Sequence, residues 1–177
     1  MSSVVISGDT SGTVTVTVPA VAGTNTVTIP AVTGTVMVSS NMPAFSAYAS
    51  ASTSLASSTF TKIQFQTKEF DTASAYDNAT NYRFTPQVAG YYQVTGALQW
   101  GSNVAATTIA IYKNGSRFKT GVATNTATVS GSIVTALVYL NGSTDYVEIY
   151  GYSGTVTNTI SAVVTDTYFQ AAMVRTA

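Results

Sequence analysis

Short segments that alternate apolar and polar residues with a period of two, each ended by Asn-Gly or another turn signal, recur from Pro43 onward. They confine this part of the chain to a β architecture. The clearest runs from Tyr91 to Trp100, with Tyr92, Val94, Gly96, Leu98 and Trp100 on one face and Tyr91, Gln93, Thr95, Ala97 and Gln99 on the other. Thr108 to Lys113 meets Asn114-Gly115 and continues as Ser116 to Lys119, which predicts a hairpin closed by a type I′ turn. Ser132 to Leu140 passes through Asn141-Gly142 and Ser143-Thr144-Asp145 into Tyr146 to Tyr152, and a last strand is expected from about Thr167 to Arg175. Composition agrees, because threonine, valine, serine, tyrosine and glycine dominate while leucine, glutamate, lysine and arginine are scarce.

Two of these strands are apolar on both faces. Ser132 to Leu140 sets Ile133, Leu137 and Tyr139 against Val134, Ala136, Val138 and Leu140, and the last strand sets Phe169, Ala171 and Met173 against Tyr168, Ala172 and Val174. A strand in a two-sheet sandwich meets the core with one face, so its second face needs another cover, either loops of the same chain or a neighbouring subunit. The oligomeric reading nominates Phe45, Val134, Val138, Leu140, Tyr168 and Val174 as subunit contacts.

The first forty-two residues are simpler. Val16-Thr17-Val18-Pro19-Ala20-Val21-Ala22-Gly23-Thr24 recurs as Val27-Thr28-Ile29-Pro30-Ala31-Val32-Thr33-Gly34-Thr35, an offset of 11 residues from Pro19 to Pro30. Each unit reads as a short strand, a proline that ends it and a glycine turn, which suits a ladder of short strands better than a core. The segment is either a flexible linker or an arm that orders against a partner or sister chains. The second reading makes Val16, Val18, Pro19, Val27, Ile29 and Pro30 its attachment residues. The expected organisation is therefore an arm over residues 1–42 and a head over residues 43–177.

Several chemistries are excluded. The 177 residues contain no histidine and no cysteine, which removes Ser-His-Asp and Cys-His catalysis, imidazole or thiolate metal sites and disulfides. Seven basic residues balance seven acidic ones, so no broad positive field attracts nucleic acid. No apolar run approaches a membrane span, and the opening residues lack the basic and apolar regions of a secretory signal. A soluble protein made in a cytoplasm is expected.

The remaining candidates each carry a plainer alternative. Glu69 and Asp71 share one strand face and fit a hard cation or a glycosidase pair, or simply a solvated edge beside Lys68. Asp77-Asn78 fits a calcium loop or an Asx turn, and the turn is favoured. Tyr146, Tyr150 and Tyr152 alternate onto one face and would stack on a sugar ring or serve packing. Ser7-Gly8-Asp9-Thr10-Ser11-Gly12 lacks the histidine of a protease and the lysine of a phosphate loop, so it reads as a turn. No catalytic residue, cofactor or metal is expected, and the chain is read as a non-enzyme.

The head resembles a known family. Pro43-Ala44-Phe45-Ser46-Ala47-Tyr48 is similar to the opening strand of C1q-like heads in the complement and tumour-necrosis-factor superfamily. Tyr76-Asp77-Asn78 through Phe84-Thr85-Pro86 to Gly90-Tyr91-Tyr92 resembles its central signature, and Ile111-Tyr112-Lys113-Asn114-Gly115 its lysine-asparagine-glycine hairpin. Leu140-Asn141-Gly142 through Val147 stands where the family has a leucine-x-x-glycine-aspartate-x-valine turn, although Ser143-Thr144 separates Gly142 from Asp145. Tyr168 to Val174 is similar to the closing strand, with Ala171 in place of a glycine.

The resemblance covers about Pro43 to Arg175 and implies an all-β jelly-roll sandwich packed as a homotrimer, here preceded by a β-rich repeat arm. The arm resembles low-complexity segments of tailed-bacteriophage structural proteins, where small heads of this family also occur. Together they imply a virion protein, assembled in the host cytoplasm: a trimeric short tail fibre, head fibre or spike anchored to other virion proteins, tail or capsid, through the arm. Its head would then be free to bind a host surface glycan, with neither nucleic acid nor membrane insertion involved. A capsid decoration (cement) protein and a soluble lectin-like module are the alternatives.

Overall fold

The computed structural model describes residues 3–28, 31, 33–34, 36–102, 106–125, 130–154 and 156–177, the side chains of residues 122–125 excepted. The chain divides into two compact units, residues 1–34 and 35–177, somewhat before the change of sequence character at Pro43.

In the first unit, β1 (Ser3–Ser7) pairs antiparallel with β2 (Thr13–Thr17), joined by a turn in which Gly12 adopts φ +80°. The register sets Val4 opposite Val16 and Ile6 opposite Val14, so one face of this ribbon is apolar and the other carries serine and threonine with Val5 among them. All four apolar side chains are exposed. The pairing partner of Val16 is thus the segment upstream of the repeat. Val27 and Thr28, in the second repeat unit, lie outside any strand, so the expected ladder is not built by the described residues. Ile29, Pro30, Val32 and Thr35 lie outside the described residues.

The second unit is a sandwich of two antiparallel sheets. In chain order its strands are β3 (Ala44–Tyr48), β4 (Thr53–Leu55), β5 (Phe60–Lys62), β6 (Thr67–Asp71), β7 (Tyr76–Asp77), β8 (Arg83–Phe84), β9 (Ala89–Gln99), β10 (Thr107–Lys113), β11 (Ser116–Thr120), β12 (Val122–Asn125), β13 (Ser130–Asn141), β14 (Val147–Ser153), β15 (Asn158–Ile160) and β16 (Tyr168–Thr176). One sheet runs β11-β10-β14-β8-β7, with β5 also pairing β14; the other runs β12-β13-β9-β16-β3-β6; β15 and β4 form a small ribbon. Strands distant in sequence lie side by side, as the Greek-key crossings of a jelly roll require. The expected hairpin is present at β10–β11, and both Asn114 (φ 52°) and Gly115 (φ 77°) take the left-handed conformation its turn needs.

The core lies between the sheets. Phe45 is at its centre, stacked on Tyr76 and Phe84 at 4.6 Å each and edge-on to Phe169 at 4.8 Å. Gly96 lets the sheets close, because a Cβ there would stand 2.6 Å from the Ile149 side chain. Trp100, also buried, donates its indole N–H to the Ser132 hydroxyl at 2.8 Å.

The double apolarity of β13 and β16 is resolved by this packing. On β13, Val134, Val138 and Leu140 point inward opposite Gly96, Tyr92 and Gly90 of β9 and are at most 3% exposed, whereas Ile133, Leu137 and Tyr139 point outward. Val134, Val138, Leu140 and Phe45 therefore fill the core of a single chain, which corrects their assignment to a face between subunits. A strand apolar on both sides has no pattern that says which side is inside; cross-strand register decides.

Candidate functional site

The head carries two contrasting outer faces, one on each sheet. On the β12-β13-β9-β16-β3-β6 sheet, paired residues share a face, so the register writes out its surface in rows. Tyr48, Tyr168, Ala97 and Ile133 make one row; Phe70, Ser46, Gln170, Thr95 and Thr135 the next; Ala44, Ala172, Gln93 and Leu137 a third; Tyr91 and Tyr139 a fourth. Ile133, Leu137, Tyr139, Tyr91, Val174 and Phe70 are each 37–54% exposed. The polar residues between them bond to one another, Gln93 donating to the Thr135 hydroxyl at 2.6 Å and the Thr95 and Thr135 hydroxyls meeting at 3.1 Å. A shallow hollow of about 260 Å³ opens here beside Phe70, Gln93, Thr95 and Gln170. Arg175 lies over the Tyr91 ring at 5.4 Å. Tyr168 and Val174 lie on this face, so of the six proposed contacts these two are surface residues. Ile133, Leu137, Tyr139, Tyr91 and Phe70 join them, and the first three were legible as the alternative face of β13.

The outer face of the other sheet is aromatic and charged. Tyr150 of β14 stacks on Tyr112 of β10 at 3.9 Å, and Phe60 of β5 lies 4.9 Å from Tyr152 and 5.9 Å from Tyr112. Arg117 of β11 lies over the Phe60 ring at 5.1 Å, and Arg83 of β8 over the Tyr146 ring at 4.3 Å. Glu148 is almost wholly buried beneath, where it accepts from Lys62 Nζ at 2.8 Å. Burial, with the Glu148 charge beside it, pushes the Tyr150 hydroxyl up to about 12, so it stays protonated and able to donate. The alternation of Tyr146, Tyr150 and Tyr152 was legible in one strand. Phe60, Tyr112, Arg83 and Arg117 arrive from other strands, which no local spacing announces.

The carboxylates singled out in the sequence are engaged in local structure. Asp77 accepts from the backbone N–H groups of Ala79, Thr80 and Asn81 and from the Asn81 side chain, bonds that hold its carboxyl well below the usual range. This is Asx-turn chemistry, with both oxygens occupied. Asp71 accepts from the N–H groups of Ala75 and Tyr76 and from Lys68 Nζ, while Glu69 takes the Ser46 hydroxyl at 2.6 Å. A bulge between Ser46 and Ala47 separates their surroundings further, and the pair does not form a two-carboxylate site. Asp145 bonds Asn114 Nδ2 and Lys113 Nζ, which lower its carboxyl. No cluster of three or more acidic side chains occurs among the described residues. Of the arm residues, Val16, Val18, Pro19 and Val27 are exposed.

Neither a family model nor a curated protein matches the chain in sequence. In three dimensions it is similar to crystalline murine APRIL, with a TM-score of 0.60 at 9% identity, over 75% of this chain and 99% of that one. It is similar to Eiger TNF from S. frugiperda with a TM-score of 0.60 at 9% identity, over 77% of this chain and 93% of that one. The chain has the jelly-roll fold of these tumour-necrosis-factor structures.

Proposed function

We propose that this chain is a non-enzymatic bacteriophage structural protein, a short trimeric fibre or spike whose arm anchors it in the virion and whose head projects to bind the host. The observation that carries the reading is the outer face of the β12-β13-β9-β16-β3-β6 sheet. It is large, rich in exposed aliphatic and aromatic side chains and almost without charge, and the described residues of its own unit leave it uncovered. Packing three copies about a threefold axis covers such a face with a closed symmetry and buries the sheet against its sisters. The Tyr91, Leu137, Tyr139, Tyr168 and Val174 side chains would lie in the contact. The arm supports attachment in the same way, because a two-stranded ribbon with Val4, Ile6, Val14 and Val16 exposed on one face is marginal alone and gains from a partner. The resemblance of the arm to low-complexity segments of phage structural proteins, in which small heads of the C1q-like kind also occur, supplies the context.

Purified phage particles labelled with an antibody to this chain test the reading. Label on tails or isolated projections is expected. An even coat over the capsid would replace the fibre by a decoration protein, and unlabelled particles would overturn the virion assignment. Light scattering of the recombinant head, without residues 1–42, is expected to give three times the subunit mass; a monodisperse monomer refutes the trimer.

A further inference from the structure

We propose that the aromatic face of the β11-β10-β14-β8 sheet is a recognition surface for a carboxylated polysaccharide, a reading that rests on the head being a host-binding module and names its ligand class. The argument begins with the cations. Three lysines are committed to ion pairs: Lys62 with Glu148, Lys68 with Asp71 and Lys113 with Asp145. The remaining four basic side chains all lie over rings, and two of them, Arg83 and Arg117, stand on this face. Neither guanidinium has a carboxylate partner among the described residues. A guanidinium lying over a ring spends its flat surface on the π cloud and keeps its in-plane N–H donors for a planar, bidentate acceptor. The two acids nearby are already satisfied, Glu148 by Lys62 and Asp77, which pairs with Arg83 across β7–β8, by its own turn. The face therefore offers two guanidiniums outside any ion pair, although the ionised Asp77 carboxylate stands opposite Arg83 in the register.

The rest of the surface suits sugar. Phe60, Tyr112, Tyr146, Tyr150 and Tyr152 form a half-buried, mutually packed platform that costs little side-chain entropy to present, and its tyrosine hydroxyls, apart from that of Tyr150, which bonds Glu148, are donors for ring oxygens and hydroxyls. Arg117 and Arg83 rise from strands three apart in the sheet order, a backbone separation of roughly 14 Å, so the two side chains come from opposite sides of the platform and suit an oligosaccharide with more than one acidic group. This face belongs to the sheet opposite the proposed association face, so trimerisation leaves it open and repeats it three times, favouring a repetitive polymer through avidity. A nucleic acid is the less suitable polyanion because no broad basic field surrounds the two arginines.

The full-length protein is titrated calorimetrically with oligogalacturonate, the same oligomers methyl-esterified, bacterial capsular oligosaccharides bearing uronate or sialate, and single-stranded DNA. Binding to one or more carboxylated glycans is expected, together with loss on esterification and weakening by roughly tenfold or more in Arg117→Gln and in Arg83→Gln. Lys68→Gln, on β6 of the other sheet and outside both proposed surfaces, is expected to bind as the parent does, and unchanged thermal unfolding of all three variants verifies folding. Equal binding of the ester, indifference to Arg117→Gln and Arg83→Gln, tighter binding of DNA, or no binding by any carboxylated glycan overturns the proposal. Particle labelling is independent: a labelled fibre that ignores acidic glycans sinks this inference alone, whereas specific glycan binding by a protein missing from particles sinks only the virion assignment.

Discussion

Leu137 and Val138 are adjacent on β13 and point to opposite sides of the sheet, so replacing each with aspartate separates the core from the association face in one experiment. Val138 is fully buried opposite Tyr92, in a core cluster that contains no basic side chain. Val138→Asp forfeits about 1.5–3 kcal/mol of burial. It also confines a carboxylate without a partner, for an effective penalty of several kcal/mol even after relaxation or protonation. A total of roughly 5 kcal/mol or more is comparable with the whole stability of a domain, about 5–15 kcal/mol, so this variant is expected to be unfolded or aggregated. Leu137 is 52% exposed in the single chain, and Leu137→Asp is expected to change subunit stability by only about 0.5 kcal/mol while placing three carboxylates in the trimer contacts. Urea titration followed by Trp100 fluorescence reads the fold, and light scattering at several concentrations reads assembly. Val138→Asp unfolding like the parent would refute the inward assignment; Leu137→Asp retaining the full trimer mass would refute the association face.

Ser132→Ala removes the acceptor of the buried Trp100 indole N–H, and a loss of about 1–3 kcal/mol in the urea transition is expected; an unmoved midpoint would mean the indole finds another partner. Gly115 has φ +77°, and an added Cβ would meet only the Tyr146 hydroxyl at 3.6 Å, so Gly115→Ala should cost about 1–2 kcal/mol through conformation alone, with Gly115→Asn milder; equal midpoints for alanine and glycine would contradict the type I′ turn. Asp77 and Asp145 both have depressed folded values, so the stability they contribute is present above the unfolded carboxyl value near 4 and lost as pH falls below it through the folded values. Thermal midpoints measured from pH 5 down to pH 2 should fall in the parent and fall less steeply in Asp77→Asn; parallel curves would show that the Asp77 turn carries no such linkage.

Sequence alone was enough for the class of fold and for the local devices that build it. The alternation in Tyr91–Trp100, the Asn114-Gly115 turn and the spacing of the later strands depend on neighbours a few residues away, and backbone geometry imposes them wherever they occur. The Asx turn at Asp77 was legible for the same reason, since its amide donors, Ala79, Thr80 and Asn81, lie two to four residues on. Which side of β13 meets the core was not legible, because Ile133, Leu137 and Tyr139 are as apolar as Val134, Val138 and Leu140, and only the register against β9 and the position of the second sheet choose between them. The arm followed the same logic: the repeat marked Val16–Val18 as strand-forming, but the β1 segment upstream supplied its partner. How the two outer faces are assembled was decided by tertiary structure, beyond the single-strand alternations that the sequence shows. Arg83, Phe60 and the β10–β11 hairpin that carries Tyr112 and Arg117 become neighbours of Tyr146 and Tyr150 because segments far apart in the chain hydrogen-bond in one sheet, and long-range pairing leaves no periodic trace in sequence.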